Sequence, residues 1–87
     1  MASVEEKFRL RKNKVADLKE GKTDVYLAPK IGRSRQYLSS VFNCTLSINK
    51  SLAIHILETM AKESIKLNKE IGNMGIEKVL FLYFEKD

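Results

Sequence analysis

Three side chains between Arg35 and Ser40 carry the most usable chemistry in this chain of 87 residues. Arg35 offers a planar fork of donors with a permanent charge, and Gln36 beside it offers an amide that donates and accepts together. Ser40 adds a hydroxyl one helical turn further on. Taken at helical spacing, Arg35 to Phe42 sets Leu38 and Val41 on one side, with Phe42 as a further contact. The other side carries Arg35, Gln36, Tyr37, Ser39, Ser40 and Asn43, a face with donors, acceptors and one fixed positive charge but no acid. Such a face suits binding better than catalysis. The chain has one histidine, His55, one cysteine, Cys44, no Gly-rich phosphate loop, and no carboxylate pair in an apolar setting that would tune it for proton transfer. The sequence therefore predicts a non-enzyme with no cofactor, no small-molecule ligand and no metal, since His55 lacks every zinc-ligand spacing.

Local signals upstream would hold that face in place. Leu27, Ala28 and Ile31 fall on the inner side of a preceding helix. Gly32 suits a sharp turn that needs positive φ, and Ser34 is a good N-cap for the second helix. Pro29 lies inside the first helix, so that helix is expected to begin late or to kink. At the exit, Asn43 is the residue expected to take the left-handed conformation.

The stretch resembles the helix-turn-helix of the lambda-repressor-like family, the Cro and CI type of regulator. The matching residues are Leu27-Ala28, Gly32 four positions later, Ser34-Arg35-Gln36, Leu38-Ser39 and Val41-Phe42-Asn43. A polar loop, Thr45 to Asn49, then leads to Leu52-Ala53-Ile54-His55-Ile56, as in the family's next helix. The likeness spans about residues 23 to 61 and departs at Cys44, where the family usually has glycine. It implies an all-α, compact domain of four to five helices that binds double-stranded DNA sequence-specifically. A homodimeric transcriptional regulator is implied, a repressor of phage or mobile-element origin. In that frame Arg35 would reach the two acceptors of guanine, Gln36 the N6 and N7 edge of adenine, and Ser40 a further base or a thymine methyl. Lys22, Thr23, Lys30, Arg33, Tyr37 and Asn43 would contact phosphates. Asp24 falls where the family commonly has a neutral amide, and it would repel a phosphate if it pointed outward.

The remaining chain is read around this centre. Its length fits one domain, residues 1 to 87. Residues 1 to 40 hold ten Lys or Arg against five acids, whereas residues 41 to 87 hold six of each, so the whole excess of +5 lies in the half containing the motif. That asymmetry is the footprint of a polyanion binder. The N-terminus has no apolar signal region, no run reaches bilayer length, and a single cysteine fits a reducing compartment. A soluble cytoplasmic protein that avoids membranes is the expectation. Ser3 with Glu6 reads as a capping box opening a helix from Val4 to Lys19, ended by Gly21. Ser47 or Asn49 would cap a long helix from about Asn49 to Ile71, with Ser64 as the place for a break. Beyond Gly72-Asn73-Met74-Gly75, the run Ile76 to Phe84 is left open between helix and strand, a strand having no evident partner. Ile76, Val79, Leu80, Tyr83 and Phe84 are expected to form a dimerisation surface. The same apolar surface supports the alternative, a helix-turn-helix protein acting through protein–protein binding as an inhibitor or anti-repressor.

Overall fold

Lys7, Phe8, Arg9 and Leu10 alternate polar and apolar, and in the computed structural model, which describes residues 6–87, they form strand β1 (Lys7–Leu10). The expected helix from Val4 is corrected here: Phe8 and Leu10 are buried on one face of a strand, while Arg9 points the other way. Ser3, the proposed cap, lies outside the described residues. β1 is the middle strand of a small antiparallel sheet between β2 (Ile48–Asn49) and β3 (Phe84–Lys86). Phe8 pairs with Ile48 on one side and Lys86 on the other, and Leu10 pairs with Phe84. The inward row Phe8, Leu10, Ile48 and Phe84 is buried, which fixes the register because a one-residue slip would turn it to solvent. The all-α expectation thus becomes a mostly helical fold with a three-stranded sheet.

A 3-10 turn, Lys12–Lys14, leads into α1 (Val15–Lys19), which ends with Glu20 in the left-handed conformation at φ 50°. α2 (Asp24–Ile31) follows, with the Thr23 hydroxyl accepting from the Tyr26 N–H at 3.1 Å. Pro29 is the sixth residue of α2, so the helix does not begin late, and the proline ring leaves the Val25 carbonyl without its helical donor. Gly32, at φ 83°, ends α2 and turns the chain through Arg33 and Ser34. α3 (Arg35–Phe42) is capped by the Ser34 hydroxyl, which accepts from the Tyr37 N–H at 3.1 Å. Leu38, Val41 and Phe42 are buried beneath it. At its exit Asn43 stays right-handed at φ −84°, and Cys44 takes φ 64° instead, correcting the expectation for Asn43.

α4 (Lys50–Ala61) is capped by Asn49 rather than Ser47, the amide oxygen accepting from the Leu52 N–H at 2.8 Å. It stops short of the long helix expected. Ser64 breaks it, capping α5 (Ile65–Met74) through the Leu67 N–H while its hydroxyl donates to the Glu20 carboxylate. α6 (Ile76–Tyr83) then runs directly into β3. The apolar run from Val79 is therefore helix first and strand last.

That run closes the core of its own chain. Val79, Leu80, Tyr83 and Phe84 are all buried, and Ile76 is half-buried against the same cluster. The dimerisation assignment for the four buried residues is corrected accordingly. The sheet partner that the sequence seemed to lack is β1, and pairing with it brings α6 across α4 and α5. Burying each of these four side chains contributes roughly 1.5–3 kcal/mol. The Tyr83 hydroxyl donates to Glu70 at 2.6 Å, so even its polar tip is satisfied inside. Phe81 alone of this run stays largely exposed, at 46%, with its ring edge-on to Phe8 at 5.7 Å.

Candidate functional site

α2 and α3 pack against each other across a three-residue turn, and α4 lies behind α2. His55 on α4 fixes part of this arrangement: its Nε2 lies 2.8 Å from the Ile31 carbonyl at the end of α2. A carbonyl oxygen only accepts, so Nε2 carries the proton and donates. His55 is exposed, as a surface residue, and it also pegs α4 to the end of α2.

With its apolar face seated on the core, α3 must turn the opposite face outward. The side chains of Arg35 and Gln36, on its first turn, are exposed and form no hydrogen bond or ion pair among the described residues. Arg33, in the turn, is exposed as well and uses one N–H on the Gly32 carbonyl at 3.0 Å, leaving most of its fork open. These three make one cationic, hydrogen-bonding edge beside the helix start.

The other predicted contacts are placed differently. The half-buried Ser40 hydroxyl donates back to the Gln36 carbonyl at 3.3 Å, while the Ser40 carbonyl accepts from the Thr45 hydroxyl at 3.1 Å. Asn43 is exposed, its amide donating to the Ser39 hydroxyl at 3.4 Å. Tyr37 is half-buried against the core. Thr23 has its hydroxyl committed to the α2 cap, and the Lys22 ammonium lies 3.8 Å from Glu20. Lys30 is held 2.9 Å from Glu63 and 4.8 Å above the Tyr26 ring, with the Tyr26 hydroxyl donating to the same carboxylate at 2.6 Å. Hydrogen bonding and charge from Glu63 hold the Lys30 pKa above the usual lysine range, and bonds from Tyr26 and Lys30 hold Glu63 below the usual carboxylate range. Lys30 is thus engaged within the protein rather than open to a ligand.

Asp24, the one residue set against this surface, is neutralised. Its carboxylate lies 2.8 Å from the Lys19 ammonium. A signal that the sequence reading noticed only for α3 extends much further: no Asp or Glu occurs from Val25 through Leu57. With Asp24 paired, the surface formed by the turn and α3 meets an incoming anion without a free carboxylate of its own. Among the described residues no group of three His, Cys, Asp or Glu is arranged to hold a metal ion. No helix there is long and apolar enough to cross a membrane. Set beside protein-family models, curated proteins and solved structures, the chain matches none.

Proposed function

We propose that this protein binds double-stranded DNA sequence-specifically through α2, the Gly32 turn and α3, as a small transcriptional regulator. The supporting observation is the first turn of α3, where Arg35 and Gln36 stand adjacent, exposed and unpartnered on a capped helix whose whole surround lacks free acid. A guanidinium matches the O6 and N7 acceptors of guanine, and a neighbouring amide matches the N6 and N7 edge of adenine. A helix that enters the major groove does so by its N-terminal residues, which is where both groups sit. Arg33 and Asn43 then flank the helix as phosphate contacts that set register. Ser40 is the weakest of the base-contacting assignments, because its hydroxyl already serves the helix backbone.

The protein acts in the cytoplasm as a homodimer and represses transcription in this reading, as the resemblance to Cro and CI regulators implies. Two copies of α3 would then read half-sites whose centres lie about 34–36 Å apart. Dimer contacts must come from groups other than Val79, Leu80, Tyr83 and Phe84, which the core has taken. The protein–protein alternative loses the same surface.

The test is fluorescence anisotropy on random-sequence duplexes at several salt concentrations, for wild type and for Arg35→Ala combined with Gln36→Ala, followed by selection of a preferred site. Salt-sensitive binding with an enriched site, lost in the double variant, is the expected result. Binding that ignores the double substitution would sink the assignment of α3 as the reading element.

A further inference from the structure

Strand alternation that buries Phe8 and Leu10 sends Arg9 to the opposite face of β1, and the extended Arg11 just past the strand continues that side roughly 7 Å on. Both guanidiniums are anchored. Arg9 donates to Ser47 at 3.3 Å and to Asp87 at 2.9 Å, and Arg11 donates to the Phe81 carbonyl at 3.0 Å. Immediately beyond, the 3-10 turn presents Lys12 and Asn13, both exposed, with neither side chain hydrogen-bonded or ion-paired among the described residues. These four residues, with Glu85 opposite Arg9, line a surface pocket of about 450 Å³ whose further wall is Cys44. Cys44 is the left-handed residue at the exit of α3. Of the three cations there, Arg11 lies 3.6 Å from Glu85 and Arg9 2.9 Å from Asp87, which leaves Lys12 as the unmatched charge.

This pocket therefore opens at the opposite end of α3 from Arg35 and Gln36. Eight helical residues span about 12 Å, comparable with the roughly 12 Å width of the major groove. A helix whose first turn meets base edges brings its exit near the level of the groove wall, where the phosphates run. We propose that the pocket formed by β1, the Lys12–Lys14 turn and Cys44 is a second DNA contact, which receives the phosphodiester backbone, with Lys12 and Asn13 as the groups that engage it. The inference rests on the DNA-binding reading above. The arginines act as positioning residues: Arg9 is held by Ser47 and Asp87, and Arg11 by the Phe81 carbonyl of α6 and by Glu85, so their charges are matched and they shape the pocket wall. Lys12 supplies the free ammonium, and Asn13 a neutral donor beside it.

The experiment is the same duplex titration across salt, with Lys12→Gln, Lys12→Glu and Asn13→Ala, and with thermal melting as a folding control. Lys12 is exposed and unpaired, so its melting temperature should not move. Lys12→Gln should weaken binding up to about fivefold, and it should lower the salt slope by about one without changing the selected sequence. Lys12→Glu should weaken it more, and Asn13→Ala less. Unchanged affinity and slope in both Lys12 variants overturn the pocket contact while leaving α3 as the reader. Loss in the Lys12 variants with none in the Arg35, Gln36 double variant supports the pocket and overturns the reading. Wild-type protein that ignores duplex DNA overturns both.

Discussion

α3 and α6 are both eight-residue helices with mixed faces, yet they end in opposite circumstances. α3 keeps three residues in the core and turns Arg35 and Gln36 to solvent with nothing to bind. α6 gives Val79, Leu80 and Tyr83 to the core, tips Tyr83 onto Glu70, and continues into a strand paired with the far end of the chain. The difference lies in where each helix finds its neighbours. α3 is capped, turned and seated by residues within a few positions of itself. α6 is anchored through β3, whose partner residues in β1 lie more than seventy positions away. Apolar excess at the end of a chain thus measures what the whole fold needs as much as what a partner could cover.

Substitutions can break this contrast. Phe84→Ala, which empties a fully buried site where β3 meets β1, should cost about 3–5 kcal/mol in a urea titration. A cost under about 1 kcal/mol would mean that the C-terminal run is not core after all. Tyr83→Phe should cost about 1.5 kcal/mol by removing a hydrogen bond to a carboxylate. The same variant tests pH dependence. Burial, and then Glu70, push the Tyr83 hydroxyl above the ordinary tyrosine range, so its folded pKa exceeds its unfolded one. The stability it contributes is complete below about pH 10, the unfolded value, and is lost as pH rises beyond it. Between pH 8 and pH 11 the wild type should lose more stability than Tyr83→Phe.

Smaller effects sharpen the other side of the comparison. Ser34→Ala should cost about 1 kcal/mol by removing the α3 cap, and it should weaken DNA binding through the helix start rather than through any contact of its own. Arg35→Ala with Gln36→Ala should shift stability by less than about 0.5 kcal/mol, although it should abolish site preference. A large loss of stability would show that these side chains support the fold and are not held open for a ligand. Smallest of all should be Glu63→Gln. The Glu63 pKa is depressed, so its contribution is present at neutral pH and fades as pH falls through the folded value, below the ordinary 4.5. Wild type and variant should therefore converge in melting temperature as pH falls below 4.5.

How far the fold could be read from sequence follows the same division. The α2–turn–α3 unit was legible because its determinants are short-range: Ser34 as a cap, Gly32 at positive φ, and apolar residues at helical spacing. The break at Ser64 was legible as a cap inside an otherwise helical stretch. β1 was missed although Lys7-Phe8-Arg9-Leu10 alternates, because Phe8 and Val15 also fit one face of a helix and no partner strand was in view. The pocket beside Cys44 could not be read at all. Arg9, Lys12 and Cys44 are brought together only by the packing of β1 against α3.

What the sequence determined by itself is the local geometry of the proposed binding face: which residues begin α3, which side of it is apolar, and that no acid follows Asp24 until Glu58. The tertiary structure decided the remainder. It paired Lys30 with Glu63 and Asp24 with Lys19, leaving Arg33 and Arg35 as the open cations beside α3. It also took the C-terminal apolar run into the core. The physical reason is range. Capping, turn and helix preferences act over three or four residues, whereas strand pairing and charge neutralisation depend on groups that meet only once the chain has folded.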